Sequence, residues 1–297
     1  MKPVLKLAAK SIYSLLRIFS HYKSFCSLPE IKADNIEIHI LGNGPSLKDT
    51  LEHHKVKFFA SKICMCVNDI AITDLYEEIK PKYYLLLDPA YWEDDVHESL
   101  VELREKLYSA INSKTSWNVD LILPVTASGA YDWTSRFTNN KYIKIHFFHT
   151  IPATGFKTVK FNYYKYNLGM PAAQNVLVAA IFLSINIGYK SIFLHGADHS
   201  WHEDLVVNDD NIVCIKYRHC YDEAEVELTP FLKGDKIGST WKMGELFMAL
   251  GRVFNGYQEI AEYASYRNVK IYNASKVSCI DTFTRYKCIP DKYTEDI

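Results

Sequence analysis

Ile36-Glu37-Ile38-His39-Ile40-Leu41-Gly42-Asn43-Gly44-Pro45-Ser46-Leu47 is the stretch that decides the fold. A short β-prone run ends in a glycine-bearing tip and passes into a polar, helix-compatible segment. The pattern then recurs. Residues 63–67 read as a strand ending at Asn68-Asp69, and 83–87 as one ending at Asp88-Pro89; 121–125 and 143–148 are further strands. An apolar helix over 172–187 leads into a strand at 191–194 that ends at Gly196-Ala197-Asp198-His199. A long helix over 243–267 precedes a late strand at 270–272. Strands alternating with helices predict an α/β fold: a Rossmann-like, mostly parallel sheet with helices on both faces. The less periodic stretch at about 201–242 reads as a lid inserted into a domain spanning 31–297.

The polar residues fall on the strand tips. Open parallel sheets bind ligands beyond the carboxyl ends of their strands. The candidate ligand contacts are therefore Gly42, Asn43, Gly44, Pro45 and Ser46 on the first tip, Asn68 and Asp88 on the next two, and Gly196 and Asp198 on the late one. Glycines let backbone approach a phosphate, and the following helix start offers free N–H groups. Ser46 suits either a helix cap or a phosphate contact. The asparagines donate and accept, which suits a base or ribose. The third glycine of the dinucleotide fingerprint is missing, no Gly-Lys-Ser/Thr closes a phosphate loop, and no Gly-x-Ser-x-Gly elbow marks a serine hydrolase.

Composition narrows the partners. A net charge of −1 argues against a nucleic-acid binder working through a general basic field. Seven scattered cysteines form neither a zinc ribbon nor a disulfide framework, which fits a reducing compartment. Cys64 and Cys66 share one face of a strand and read as small core residues. Twenty-one tyrosines suit polar ligands such as sugars, or ordinary core packing.

The N-terminal segment, 1–30, reads as an amphipathic helix. Leu5, Ala8, Ile12, Leu15, Leu16 and Phe19 fall on one side; Lys6, Lys10, Ser14 and Arg17 fall elsewhere. It lacks the apolar run of a bilayer span and the cleavage site of a signal peptide. The expectation is a cytoplasmic protein held peripherally on the inner face of the cell membrane by this helix. The same helix could instead pack on its own domain or on a partner subunit, which leaves a homo-oligomer open.

The residues Ile40-Leu41-Gly42-Asn43-Gly44-Pro45-Ser46-Leu47 resemble the opening motif of bacterial sialyltransferases of glycosyltransferase family 42. The run 176–198, with Gly188-Tyr189-Lys190 and Gly196-Ala197-Asp198, is similar to their second block, and Val269-Lys270-Ile271-Tyr272-Asn273-Ala274-Ser275 to a strand near their C-terminus. These blocks also resemble a broader group related to archaeal hydroxymethylpterin diphosphokinase, many of whose bacterial members look like surface-polysaccharide proteins. The resemblance implies a GT-A-like domain with a lid, using a CMP-activated sugar without a metal or other cofactor. Asn43 and Asn68 match the family's asparagines at the nucleotide; Asp88 stands where the family has an asparagine. The implied activity is inverting transfer of a sialic-acid- or Kdo-like sugar onto lipopolysaccharide, capsule or a related glycan, free or lipid-linked.

The family's lid holds a histidine base and two phosphate-binding tyrosines, and residues 235–245 of this chain contain no histidine. Chemistry supplies substitutes. Inverting transfer needs a base with a pKa near working pH, which histidine provides. His199 and His202 flank Trp201, and His219 sits among Tyr217, Arg218 and Tyr221, which could stabilise a departing phosphate. Asp198 joins them as a catalytic candidate. A metal reading of Asp198, His199, His202 and His219 lacks a His-Glu-x-x-His frame. Two other classes compete: an ATP-dependent pterin pyrophosphokinase-like enzyme, and a non-catalytic scaffold of polysaccharide assembly.

Overall fold

The computed structural model describes residues 2–31, 36–129, 132–137, 139–216 and 228–286. Tyr217, Arg218, His219 and Tyr221 lie outside them.

Eight parallel strands form the main sheet: β1 (Glu37–Leu41), β2 (Cys64–Val67), β3 (Tyr83–Leu85), β4 (Val119–Pro124), β5 (Ile143–Phe148), β6 (Ser191–His195), β10 (Lys270–Asn273) and β11 (Thr284–Arg285). Their order is β11-β10-β6-β1-β2-β3-β4-β5. Between β6 and β10 the chain adds a small antiparallel sheet of β7 (Leu205–Val207), β8 (Val213–Ile215) and β9 (Thr229–Pro230).

Two cores follow from the period of two along each strand. Ile38, Ile40, Met65, Val67, Tyr83 and Leu85 point to one face, and Leu41, Cys64, Cys66, Tyr84, Leu121 and Leu123 to the other. The first face is covered by α7 (Val176–Ile187) and α8 (Met243–Tyr266), with α6 (Lys157–Lys165) beside them. The second carries α2 (Ser46–Ala60), α3 (Leu75–Ile79), α4 (Glu98–Lys114) and α5 (Trp133–Phe137). Helix α7 is apolar all round because it lies between the sheet and α8. Asn175 caps it by accepting the Leu177 N–H at 2.8 Å, and Gly188, with φ +122°, ends it.

The N-terminal helix α1 (Lys2–His21) belongs to the fold. Ser11 Oγ accepts from Phe156 N at 2.9 Å, Ser14 Oγ accepts from Thr154 N at 2.8 Å, and Ile18 is buried. Among the described residues no helix is long and apolar enough to cross a membrane.

Candidate functional site

The strand order explains where a ligand can enter. From β1 the chain steps outward through β2, β3, β4 and β5, then returns to place β6 on the other side of β1. Such a reversal leaves a crevice beyond the carboxyl ends of the two strands. A solvent-open cleft with about 120 Å³ of enclosed space lies there. Its walls are the tips of β1, β2 and β6, the start of α7, the turn Trp201–Asp204 and the end of β8.

The glycines bring the β1 and β6 tips together. Gly42 N–H donates to the His195 carbonyl at 2.8 Å, and Gly44 N–H to the Gly196 carbonyl at 2.9 Å. A Cβ on Gly42 would lie 2.7 Å from the Gly196 oxygen. The anion at the start of α2 comes from the protein itself: Asp198 Oδ1 accepts from Ser46 N at 3.0 Å and Oδ2 from Ser46 Oγ at 2.8 Å. Burial raises the Asp198 carboxyl above the usual carboxylate range, against those two bonds. The expectation that these glycines and Ser46 open onto a phosphate therefore meets a different geometry. Their donors are engaged by β6 and its tip, and Pro45 has none.

Asn43 is different. It lines the cleft, yet its side-chain Oδ1 and Nδ2 are buried with no protein partner among the described residues. An unmatched amide costs about 1–3 kcal/mol unless something enters to satisfy it. Asn68 also lines the cleft, in the left-handed conformation at φ +53°, which asparagine tolerates better than most residues. Asp88 does not reach it. That side chain is exposed and accepts from Ala90 N at 2.9 Å, capping the turn Pro89–Tyr91.

His199 is buried on the cleft wall, at φ +57°. Its Nε2 lies 2.5 Å from the Tyr257 hydroxyl, which donates to Asn175 Oδ1 at 3.3 Å. Burial pushes the ring down to about 3. At neutral pH it is an uncharged hydrogen-bonding group, buried and with its Nε2 already engaged by Tyr257. His202 is exposed and does not line the cleft. With Glu203 and Cys279 it forms a group whose ligand atoms lie within 4.8 Å of one another, a set that could hold a divalent ion such as zinc.

The cleft contains residues that sequence patterns did not single out as contacts. Trp201 offers a broad ring, 4.4 Å from that of His199. Asn175 adds a third asparagine, and Lys216 and Asp204 bring one cation and one carboxylate. Neither charged side chain has a partner among the described residues.

The buried His199 carries a pH signature. Its folded value lies below the unfolded one near 6.5, so folding favours the neutral ring. Its contribution is intact above that value and is lost as pH falls toward 3, at about 1.4 kcal/mol per unit. Urea midpoints from pH 7 to 5 should fall more steeply for the wild type than for His199→Asn. Equal slopes would mean that the ring titrates freely.

No protein-family model and no curated protein matches the chain. Among solved structures, the chain is similar to the MAf glycosyltransferase from Magnetospirillum magneticum AMB-1, with a TM-score of 0.46 and 12% identity over 94% of this chain and 38% of that one. This chain thus spans well under half of that protein. A sialyltransferase, CST-II, in complex with a trisaccharide acceptor and CMP gives 0.36 and 14%, over 84% of this chain and 85% of that one. A mammalian sialyltransferase gives 0.38 and 11%, over 88% and 78%.

Proposed function

We propose that the chain is a glycosyltransferase that takes a nucleotide-activated sugar in the cleft between the β1 and β6 tips. The observation that carries this reading is the buried amide of Asn43, without a partner among the described residues, on the wall of a cleft at the strand-order reversal. An amide can pair with a ribose hydroxyl or a pyrimidine edge, where a phosphate would use donors only. Trp201 provides a stacking surface for a base or sugar ring. Lys216 supplies positive charge for the phosphate.

The donor in this reading is a CMP-sugar of the sialic acid or Kdo type, and the acceptor a lipopolysaccharide, capsule or related glycan. An acceptor hydroxyl oxygen bonds to the anomeric carbon as the bond from that carbon to the CMP phosphate oxygen breaks. A single displacement of this kind inverts the anomeric centre. The hydroxyl proton passes to Asp204, a cleft carboxylate with no partner among the described residues, and Lys216 faces the charge left on CMP. Asp198 and His199 act as positioning residues: the first ties β6 to α2, the second ties the cleft wall to α8. Lys216 takes the neutralising part that a metal plays elsewhere, so the reading requires no metal.

Donor hydrolysis tests it without knowledge of the acceptor. Release of CMP from CMP-sialic acid or CMP-Kdo in the presence of EDTA is the expected result. Lys216→Ala and Asp204→Asn should each lower the rate by about 100-fold. Hydrolysis of UDP- or GDP-sugars instead would move the nucleotide assignment, and silence with every donor would contradict the proposal.

A further inference from the structure

Helix α1 turns its polar seam toward the protein and its apolar side outward. The buried seam consists of Ser11, Ser14 and Ile18, with both serines bonded to the segment 154–156. Gly155 permits the approach, since a Cβ there would fall 2.6 Å from Ser11 N. On another side of the helix, Leu5, Ile12, Leu16 and Phe19 are exposed by 62%, 60%, 63% and 87%. Val4 and Leu15 extend that stripe. Lys6, Lys10 and Arg17 form a third row, about 120° further round at the helical step of about 100° per residue.

Charge identifies the occupant. Residues 1–29 hold five cations (Lys2, Lys6, Lys10, Arg17 and Lys23) and no carboxylate, although the whole chain carries −1. A second copy of the helix would bring two such cationic rows together without compensation. An anionic surface suits them. An apolar stripe beside a basic row is the form of a helix lying in a membrane interface.

Position adds a consequence. The seam rests on residues that follow the end of β5, and the cleft lies beyond the ends of β1 and β6. All these strands are parallel, so the chain leaves β5 for the footing of α1 at the same edge of the sheet as the cleft. We propose that the outward face of α1 docks on an anionic lipid bilayer and holds this edge of the sheet at the membrane. The acceptor is then a lipid-linked glycan, a deduction that rests on the glycosyltransferase reading above.

The test is co-sedimentation of the full chain with vesicles of phosphatidylcholine, alone or mixed with phosphatidylglycerol. Binding should be about tenfold tighter to the anionic vesicles and weaken with salt. Leu16→Ser with Phe19→Ser should abolish it, and Lys6→Ser with Lys10→Ser should remove the anionic preference. These side chains are exposed, so unchanged thermal midpoints would show that the variants fold. Wild type that stays in the supernatant, or a double serine variant that still sediments, would overturn the proposal. A dimer in light scattering that the same serines dissolve would assign the face to a second copy. Vesicle binding involves no donor, so its failure and a failure of CMP release are read separately.

Discussion

Gly44→Ala should lower the stability of the fold by about 3 kcal/mol, because the new methyl has nowhere to go. It would lie 2.6 Å from the Gly196 carbonyl oxygen, which is backbone, and press directly on Asp198 Oδ2. Relief requires the β1 and β6 tips to separate. That strains the bond from Gly44 N–H to the Gly196 carbonyl and both bonds from Ser46 to the buried Asp198 carboxylate. Losing one partner of a buried charged group costs more than losing a neutral hydrogen bond. Gly251→Ala is the control: nothing lies within 4 Å of its Cβ on α8, so the change should be neutral or stabilising by up to about 1 kcal/mol. Urea denaturation of both variants checks the contrast. A Gly44→Ala protein as stable as wild type would mean that the two tips are not locked together.

Asn43→Ala should have the opposite balance. Deleting an amide that has no protein partner among the described residues removes a cost, so the free protein should be unchanged or slightly more stable, by up to about 1 kcal/mol. Nucleotide affinity should fall at least about tenfold, which corresponds to about 1.4 kcal/mol. This pairing of a stable fold with lost binding separates a ligand contact from a structural one. Calorimetric titration of both proteins with CMP reads the affinity, and thermal unfolding without ligand reads the fold. A large fall in free-protein stability would make Asn43 a structural residue with an undetected partner.

The contrast between Gly44 and Asn43 also marks what the sequence could convey. The strands were legible because both faces of the sheet are covered, giving short apolar runs, four of which end in glycine, asparagine or aspartate. The tips were legible for the same reason. Their partners were not: that β6 lies beside β1, putting Asp198 on Ser46, depends on contacts 152 residues apart. His199 was named from its place after a strand, but its burial against Tyr257 comes from α8, 58 residues later. Lys216 and Asp204 sit in a segment without helical or strand period, so no pattern pointed to them. The amphipathic character of α1 was plain on a helical wheel. Its orientation required knowing that Gly155 and the backbone at 154–156 would accept the serine seam.

A nucleotide held in the cleft at the β1–β6 reversal should raise the thermal midpoint of the chain. The most direct measurement is a thermal-shift panel of CMP, CDP, UDP, GDP and ATP, with and without magnesium, on the wild type and Asn43→Ala. The expected result is stabilisation of the wild type by CMP irrespective of magnesium, and its loss in Asn43→Ala. A response to ATP and magnesium alone would contradict the CMP assignment in favour of phosphoryl-transfer chemistry. No response to any nucleotide would mean that the cleft is not a nucleotide site.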